Sequence, residues 1–165
     1  MEIGLNKLML FPHKIKELLN VNEQHFDTTY PISVELSLTN ICNQNCEWCS
    51  DYELRNRLPG VFDKKVVFRL IDDLKKGGTK GITIEGGGEP TLHPDFCEIA
   101  EYAANSGLAI GMITNGTNMN YEHLLDKFEW IRVSLDASDR EEYLKLKKKD
   151  FFETVIENIK KIAAK

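Results

Sequence analysis

Several features are missing from this sequence of 165 residues, and each absence excludes a class of protein. No stretch of about 18 consecutive apolar residues occurs, so the sequence predicts no transmembrane helix. The first residues contain Glu2, are interrupted by Pro12, and lack the long apolar region and small-residue cleavage site of a signal peptide. We therefore expect a cytoplasmic protein that does not associate with membranes.

An excess of positive charge is also missing, because 21 lysine and arginine residues stand against 26 aspartate and glutamate residues. The formal net charge of -5 argues against a nonspecific grip on nucleic-acid phosphates or anionic lipid, although it is compatible with a local basic patch. The remaining composition, with 42% hydrophobic and 28% charged residues, is ordinary for a folded protein. A chain of this length predicts one domain or a part of a larger one.

Cysteine is scarce but concentrated. Three of the four cysteines, Cys42, Cys46 and Cys49, lie in the stretch CNQNCEWC. In the cytoplasm, clustered cysteines are more often metal-binding or catalytic than disulfide-forming. A C-x3-C-x2-C run can place three thiolates around one iron–sulfur cube, which leaves the fourth iron with an open coordination position. A structural zinc site is the alternative, and its fourth ligand would come from Cys97 or His93.

Predicted strands and helices alternate from Pro31 onward. Strands are predicted at residues 32–38, 81–85, 109–114 and 130–135, and helices at 64–76, 94–104, 121–127 and 151–163. Asp63 is the predicted N-cap of the first of these helices, and Ser138 with Glu141 predicts a capping box for a further one. A short helix at 13–20 and loops at 22–30 and 50–60 complete the prediction. A strand–helix pattern repeated four times indicates parallel strands joined by crossovers.

Each predicted strand ends in an unusual stretch: CNQNCEWC, EGGGEP, TNGT and SLDAS in turn. This edge of the sheet is where βα proteins bind ligands. In EGGGEP the consecutive glycines leave the backbone open to a ligand, and Glu89 offers a carboxylate suited to an ammonium group. Thr91 occupies the place of the third glycine of a dinucleotide-binding motif, and the lysine of a phosphate-binding P-loop is missing. A simple tight turn is the alternative.

Taken together, these stretches resemble the motifs of the radical S-adenosylmethionine (radical SAM) enzymes. The matching pieces are Cys42-x3-Cys46-x-Trp48-Cys49, Gly87-Gly88-Glu89-Pro90, Thr114-Asn115-Gly116 and Ser134-Leu135-Asp136, in the family's order. The resemblance runs from about Pro31 to the C-terminus and implies an α/β fold, a parallel-stranded partial (βα) barrel. About four βα units are present where the family usually has about six. We therefore expect a C-terminally truncated core at residues 31–165, preceded by an N-terminal extension at 1–30 with a short helix.

The resemblance implies a 4Fe–4S cluster and S-adenosylmethionine as cofactors. Cys42, Cys46 and Cys49 would bind the cluster, whose remaining iron would bind S-adenosylmethionine. The residues that match cofactor-binding positions are Trp48 beside the adenine, Gly87, Gly88 and Glu89 at the methionine end, Ser134 and Asp136 near the ribose or the carboxylate, and Thr114 and Asn115 on the same rim. No catalytic side chain is assigned beyond the cluster and the cofactor.

The implied activity is reductive cleavage of S-adenosylmethionine to a 5′-deoxyadenosyl radical, which abstracts hydrogen from a peptide, a sugar or another small metabolite. A one-electron donor such as flavodoxin or ferredoxin would be the partner, and nucleic acid is not expected. One alternative is a glycyl-radical-activating or RNA-modifying member of the family. A non-catalytic zinc-binding or half-barrel interaction module is the alternative from another class.

Five further features have competing interpretations. Cys97 is expected to be a half-buried structural thiol, and His93 to have a capping or surface role. Glu85 ends the second strand, where it either points into the cavity or remains a solvated carboxylate. Arg132 is either a cation in the cavity or a structural arginine. The run Lys145–Lys149 is expected to be a solvated helix end.

Overall fold

Four parallel strands form the sheet around which the rest of the chain is arranged. The computed structural model describes residues 10–21 and 29–165. Its strands are β1 (Ser33–Ser37), β2 (Gly81–Glu85), β3 (Ala109–Thr114) and β4 (Phe128–Val133). Neighbouring strands pair in the order β1-β2-β3-β4, and every pairing is parallel. The predicted series of four parallel strands is therefore confirmed, with small shifts in the bounds.

One helix precedes β1, and the others lie between and after the strands, as a βα pattern requires. They are α1 (Pro12–Leu19), α2 (Tyr52–Arg57), α3 (Lys64–Lys76), α4 (Phe96–Asn105), α5 (Arg140–Lys147) and α6 (Phe152–Ala163). Two 3-10 segments, Pro90–Leu92 and Glu122–Lys127, complete the order, so the predicted helix at 121–127 is a 3-10 segment instead. Of the predicted loop at 22–30, residues 22–28 lie outside the described residues, as do residues 1–9.

The predicted loop at residues 50–60 is wrong, because α2 occupies its centre. The local sequence is polar and carries no apolar stripe that would indicate a helix. What fixes the helix is tertiary contact: the side chain of Arg55 is buried, and its Nη2 donates to the carbonyl of Gln44 at 2.6 Å. A helix that is stabilised through one buried arginine gives little signal in hydrophobic periodicity.

One face of the sheet forms the hydrophobic core. Side chains alternate between the two faces of a strand, and Leu36, Ile82, Ile84, Ile110 and Met112 all belong to the buried set. They pack with the apolar faces of α3 and α4, whose buried residues are Val67, Ile71, Leu74, Phe96, Ile99, Ala100 and Ala103. The residues that alternate with them on the strands are more polar and more exposed, and the side chains of the site lie toward that face and its C-terminal rim.

Two aspartates begin the helices that flank the rim. Asp63 accepts from the backbone amides of Lys65 at 2.9 Å and Val66 at 3.2 Å, which confirms the predicted N-cap of α3. The N-cap of α5 is Asp139, which accepts from the amide of Glu142 at 2.9 Å, while the Glu142 carboxylate accepts from the amide of Ser138 at 2.7 Å. The predicted capping box is therefore shifted by one residue toward the C-terminus. None of the described helices is long and apolar enough to span a membrane.

Candidate active site

The loops at the C-terminal ends of the four strands enclose one cavity of about 480 Å³. Every residue predicted for the site lines it: Cys42, Cys46, Trp48, Cys49, Gly87, Gly88, Glu89, Thr114, Asn115, Ser134 and Asp136. The sheet register explains this convergence, because the last residues of parallel neighbouring strands lie side by side. The residues are thus brought together, and their individual roles remain predictions.

The three cysteines of the first loop are free thiols, each partly buried. Burial raises the pKa of the Cys46 thiol; the ammonium of Lys147 opposes this increase, and the charges of Cys42 and Cys49 add to it. The Sγ of Cys42 accepts from the amide of Gln44 at 3.5 Å. All three cysteines line the same cavity.

The cysteine loop, residues 42–49, is held in place by helices that follow it in sequence. The amide of Asn45 donates to the carbonyl of Lys147 at 3.1 Å, and the amide of Glu47 donates to that of Leu146 at 3.0 Å. Arg55 on α2 donates to the carbonyl of Gln44. Because these bonds satisfy backbone groups, the thiols themselves stay available for a ligand.

The glycine segment after β2 is pressed against the chain that follows β1. The amide of Gly88 donates to the carbonyl of Thr39 at 3.0 Å, and a Cβ on Gly88 would lie 2.2 Å from the carbonyl oxygen of Ile41. Gly88 is therefore required by packing, as the tight-turn interpretation also predicts. At Gly87 a Cβ would meet Asp51 at 3.6 Å and Asn40 at 3.7 Å, which are ordinary van der Waals distances, so packing alone does not require glycine there. The tight-turn interpretation therefore explains Gly88, and contact of this segment with a ligand stays a prediction.

Glu89 has a structural role that the sequence did not indicate. Its side chain is only 2% exposed, and Oε1 accepts from the hydroxyls of Thr91 at 2.7 Å and Thr114 at 2.6 Å. The other oxygen, Oε2, accepts from the amide of Asn115 at 2.6 Å. The carboxylate therefore joins the loop after β2 to the end of β3. Its predicted contact with the ammonium group of a ligand stays a prediction, and Oε2 is the oxygen with capacity left for it.

Asn115 also connects loops. Its Nδ2 donates to Oδ1 of Asn43 at 2.8 Å, and its Oδ1 accepts from the hydroxyl of Thr117 at 2.7 Å. Asn43 in turn donates from Nδ2 to that hydroxyl at 2.8 Å. This closed set of amide and hydroxyl groups ties the loop after β3 to the cysteine loop, so Asn115 shapes the rim whether or not it contacts a ligand.

Lys147 is the residue of the cavity that sequence reasoning missed. The run Lys145–Lys149 was expected to be solvated, but Lys147 is only 2% exposed. Its ammonium lies 2.6 Å from Oδ2 of Asp136 and 5.3 Å from the ring centroid of Trp48. The sequence signal for this burial is spacing. Lys147 follows the buried Tyr143 by one helical turn and therefore lies on the same face of α5.

Of the residues with competing interpretations, Glu85 lines the cavity. Burial and then the negative charge of Glu35 raise the pKa of the Glu85 carboxyl, whereas Arg132 lowers it. Glu85 therefore points into the cavity and is not a fully solvated carboxylate. The structure places Arg132 close enough to act on that carboxylate.

Two candidates for a fourth zinc ligand are occupied elsewhere. His93 is only 2% exposed, its Nε2 pairs with the carbonyl of Phe62 at 2.8 Å, and its Nδ1 accepts from the amide of Asp95 at 3.0 Å. The surface role is wrong. His93 supports the start of α4 through the amide of Asp95, which is the N-cap residue of that helix, but His93 is not itself the N-cap. Cys97 is half-buried as predicted, with its thiol 3.5 Å from the carbonyl of Asn120. Across residues 10–21 and 29–165, no group of three or more His, Cys, Asp or Glu side chains is arranged to hold a single metal ion.

The family model described as the radical SAM superfamily matches residues 36–165 of this chain. The chain belongs to the radical SAM superfamily. The S-adenosylmethionine-dependent nucleotide dehydratase of Selenomonas ruminantium is 34% identical to it over 110 residues, which cover 63% of this chain and 39% of that protein. The GTP 3′,8-cyclase of Psychromonas ingrahamii is 28% identical over 163 residues, which cover 92% of this chain and 47% of that protein. This radical SAM chain therefore spans less than half the length of these relatives.

The fold is shared with solved radical SAM structures. Streptococcus suis SuiB, in its complex with the precursor peptide SuiA, matches with a TM-score of 0.72 and 19% sequence identity, over 91% of this chain and 34% of that one. The predicted fold class, a parallel-stranded partial (βα) barrel of the radical SAM type, is confirmed. Membership of the superfamily implies a 4Fe–4S cluster and S-adenosylmethionine as cofactors, as the motifs indicated, and the relatives are enzymes.

Proposed function

We propose that this chain binds a 4Fe–4S cluster through Cys42, Cys46 and Cys49 and binds S-adenosylmethionine beside it. The observation that carries the proposal is the shared cavity, in which three free thiols from the loop after β1 lie with the glycine segment after β2. When bound, this pair of cofactors supplies a 5′-deoxyadenosyl radical by one-electron cleavage of the sulfonium. The radical would abstract hydrogen from a substrate.

The donor set fits a cluster better than a single ion. A structural zinc ion needs four ligands that converge on one point, and the described residues offer no such group around the cysteines. Each thiolate of a three-cysteine cluster binds a different iron, so the sulfur atoms line a shared space without meeting at one centre. Soft thiolates are also the ligands that iron–sulfur clusters select.

The remaining cavity residues suit a small zwitterionic cofactor. Gly87 lines the cavity, and Oε2 of Glu89 can accept one further hydrogen bond, such as one from an amino group. Ser134 and Asp136 lie across the cavity at the end of β4. Trp48 is about half exposed and lines the same wall, where its ring can cover an adenine. We assign these residues, with Gly88, Thr114 and Asn115, to the binding or shaping of the S-adenosylmethionine site.

The substrate class we propose is a peptide, a sugar or another small metabolite. The names of two relatives specify nucleotides, and one similar solved structure contains a bound precursor peptide. These similarities support the range of substrates but do not favour one of them. Glu85 is the side chain we assign to substrate contact, because it lines the cavity beside the glycine segment.

The partner would be a one-electron donor such as flavodoxin or ferredoxin. We place the functional core at residues 31–165, which is supported by the family match from residue 36, and an extension at 1–30.

Anaerobic reconstitution with iron and sulfide tests the proposal. We expect broad visible charge-transfer absorption, about four iron atoms per chain, and formation of 5′-deoxyadenosine after S-adenosylmethionine and a strong reductant are added. Glu85→Gln should retain the formation of 5′-deoxyadenosine, because the residue is assigned to the substrate and not to the cofactor. Tight binding of one colourless zinc ion per chain without cluster uptake would show that the proposal is wrong.

A further inference from the structure

A partly buried ion pair borders the cysteine loop. The ammonium of Lys147 on α5 is 2.6 Å from the carboxylate of Asp136, which follows β4, and faces the ring of Trp48. Lys147 and Asp136 both line the cavity that contains the three cysteines. The two partners differ in solvation, since the side chain of Lys147 is 2% exposed and that of Asp136 is 45% exposed.

The position of Lys147 is fixed by its backbone. The carbonyls of Leu146 and Lys147 accept from the amides of Glu47 and Asn45, so the end of α5 is bonded directly to the cysteine loop. The backbone that carries the ammonium is therefore held next to the cysteine loop. Asp136 has a φ of 56°, a left-handed backbone that aspartate and asparagine tolerate better than most residues. Asp136, the residue with this left-handed backbone, is the one whose carboxylate pairs with the ammonium of Lys147.

The two charges act unequally on the thiols. Coulomb interactions are weakened by water, so a buried ammonium exerts a stronger field on its surroundings than a half-exposed carboxylate does. Lys147 and Cys46 line the same cavity, and the carbonyl of Lys147 accepts from the amide of Asn45, the residue before Cys46. The ammonium therefore lies in the region of the thiols, where its charge stabilises negative charge.

We propose that Lys147 and Asp136 set the reduction potential of the cluster bound by Cys42, Cys46 and Cys49, with Lys147 raising it and Asp136 lowering it. Reduction transfers one electron from an external donor to the cluster and breaks no bond, so the cluster with its thiolates gains one negative charge. A neighbouring positive charge stabilises the reduced form, and a negative charge destabilises it. Both residues act as positioning and tuning groups and not as catalytic residues. The inference rests on the proposed cluster site.

A redox titration of the reconstituted protein without S-adenosylmethionine tests this inference. The reductant is dithionite with mediators, and the reduced cluster is followed by its electron paramagnetic resonance signal. Lys147→Met removes the ammonium with a similar side-chain length, and we expect a more negative midpoint potential. Asp136→Asn retains the tolerance for the left-handed backbone and leaves Lys147 without its partner, so we expect a less negative midpoint potential.

Lys148→Met is the matched control. Lys148 belongs to the same run and pairs with Glu47 of the cysteine loop at 3.1 Å, but this pair is about half exposed. Solvent screening should leave its effect on the potential smaller than that of Lys147→Met. Lys147→Arg, which keeps the positive charge, should shift the potential less than Lys147→Met.

The results separate this inference from the proposed function. If the unmodified protein takes up no cluster, the proposed cluster site is wrong and the inference falls with it. If the cluster forms but Asp136→Asn and Lys147→Met shift the potential in the same direction, or no further than Lys148→Met does, the inference alone is overturned. Should Lys147→Met fail to fold, an unchanged potential in Asp136→Asn overturns it equally.

Discussion

The glycine segment and the cysteine loop lie in the same cavity but are built in opposite ways. The glycine segment is complete as it stands, because the carboxylate of Glu89 is buried and satisfied by donors from two loops. The cysteine loop is held by backbone bonds to α5 and α2, and its three thiols remain free. The glycine segment is therefore fixed through a buried side chain, whereas the cysteine loop is fixed through its backbone and through the side chain of Arg55.

The largest effect should follow the removal of one thiol. Cys42→Ala takes one of three ligands from the cysteine loop, so we expect loss of nearly all cluster absorbance and of 5′-deoxyadenosine formation after reconstitution. The glycine segment does not depend on that thiol, and the free energy of unfolding of the cluster-free protein should change little. Cys97→Ala is the control, because its thiol lies outside the cavity beside Asn120. A Cys42→Ala protein that binds the cluster as well as Cys97→Ala does would refute the ligand assignment.

Substitution of Glu89 should instead lower the stability of the cluster-free protein. Glu89→Ala leaves the hydroxyl groups of Thr91 and Thr114 and the amide of Asn115 without their buried acceptor, so we expect the free energy of unfolding of the cluster-free protein to fall by about 3 kcal/mol. Chemical denaturation measures it. Glu85→Ala is the control, since Glu85 is less buried and should cost less than about 1 kcal/mol. Equal losses in both variants would contradict the structural role of Glu89.

The features that were predictable from the sequence are those with a local cause. The strands predicted at residues 81–85 and 109–114 are β2 and β3 with the observed bounds, and the cap at Asp63 predicted the start of α3. The positions of the site motifs were predictable for the same reason. Each motif follows the end of a predicted strand, and the ends of neighbouring parallel strands lie side by side. Every predicted site residue lines the cavity.

The features that could not be predicted depend on distant contacts. Lys147 is buried because the end of α5 binds the cysteine loop, and nothing within the lysine run itself indicates this contact. The α2 helix depends on the burial of Arg55 against Gln44, and the carboxylate of Glu89 is satisfied by residues from the end of β3. In each case a charged side chain, which is usually a surface residue, is buried by a partner that only the fold supplies.

A smaller effect should follow a change in the support of the cysteine loop. Arg55 donates from Nη2 to the carbonyl of Gln44, so Arg55→Met should loosen the loop and lower the free energy of unfolding by about 2 kcal/mol. We also expect faster loss of the reconstituted cluster to an iron chelator. Arg57→Met is the matched control on the same helix, because its pair with Glu53 at 3.7 Å is exposed. If both variants lose the cluster at the same rate, Arg55 does not support the loop.

The smallest effect should come from Tyr121, beside the glycine segment. Its ring packs edge-on against Phe96 and Phe128, but its buried hydroxyl has no hydrogen-bond partner in the part of the chain that the structure describes. Burial, and then the negative charge of Glu89, raise the pKa of this hydroxyl, so it stays neutral. Tyr121→Phe keeps the ring and removes the unpaired group, and we expect the free energy of unfolding to stay constant or to rise by up to about 1 kcal/mol. Denaturant unfolding with Tyr143→Phe for comparison checks this, since the Tyr143 hydroxyl accepts from Gln44 and its removal should destabilise the protein. A loss of stability in Tyr121→Phe as large as in Tyr143→Phe would mean that this hydroxyl is bonded, and that the glycine segment depends on a further polar contact.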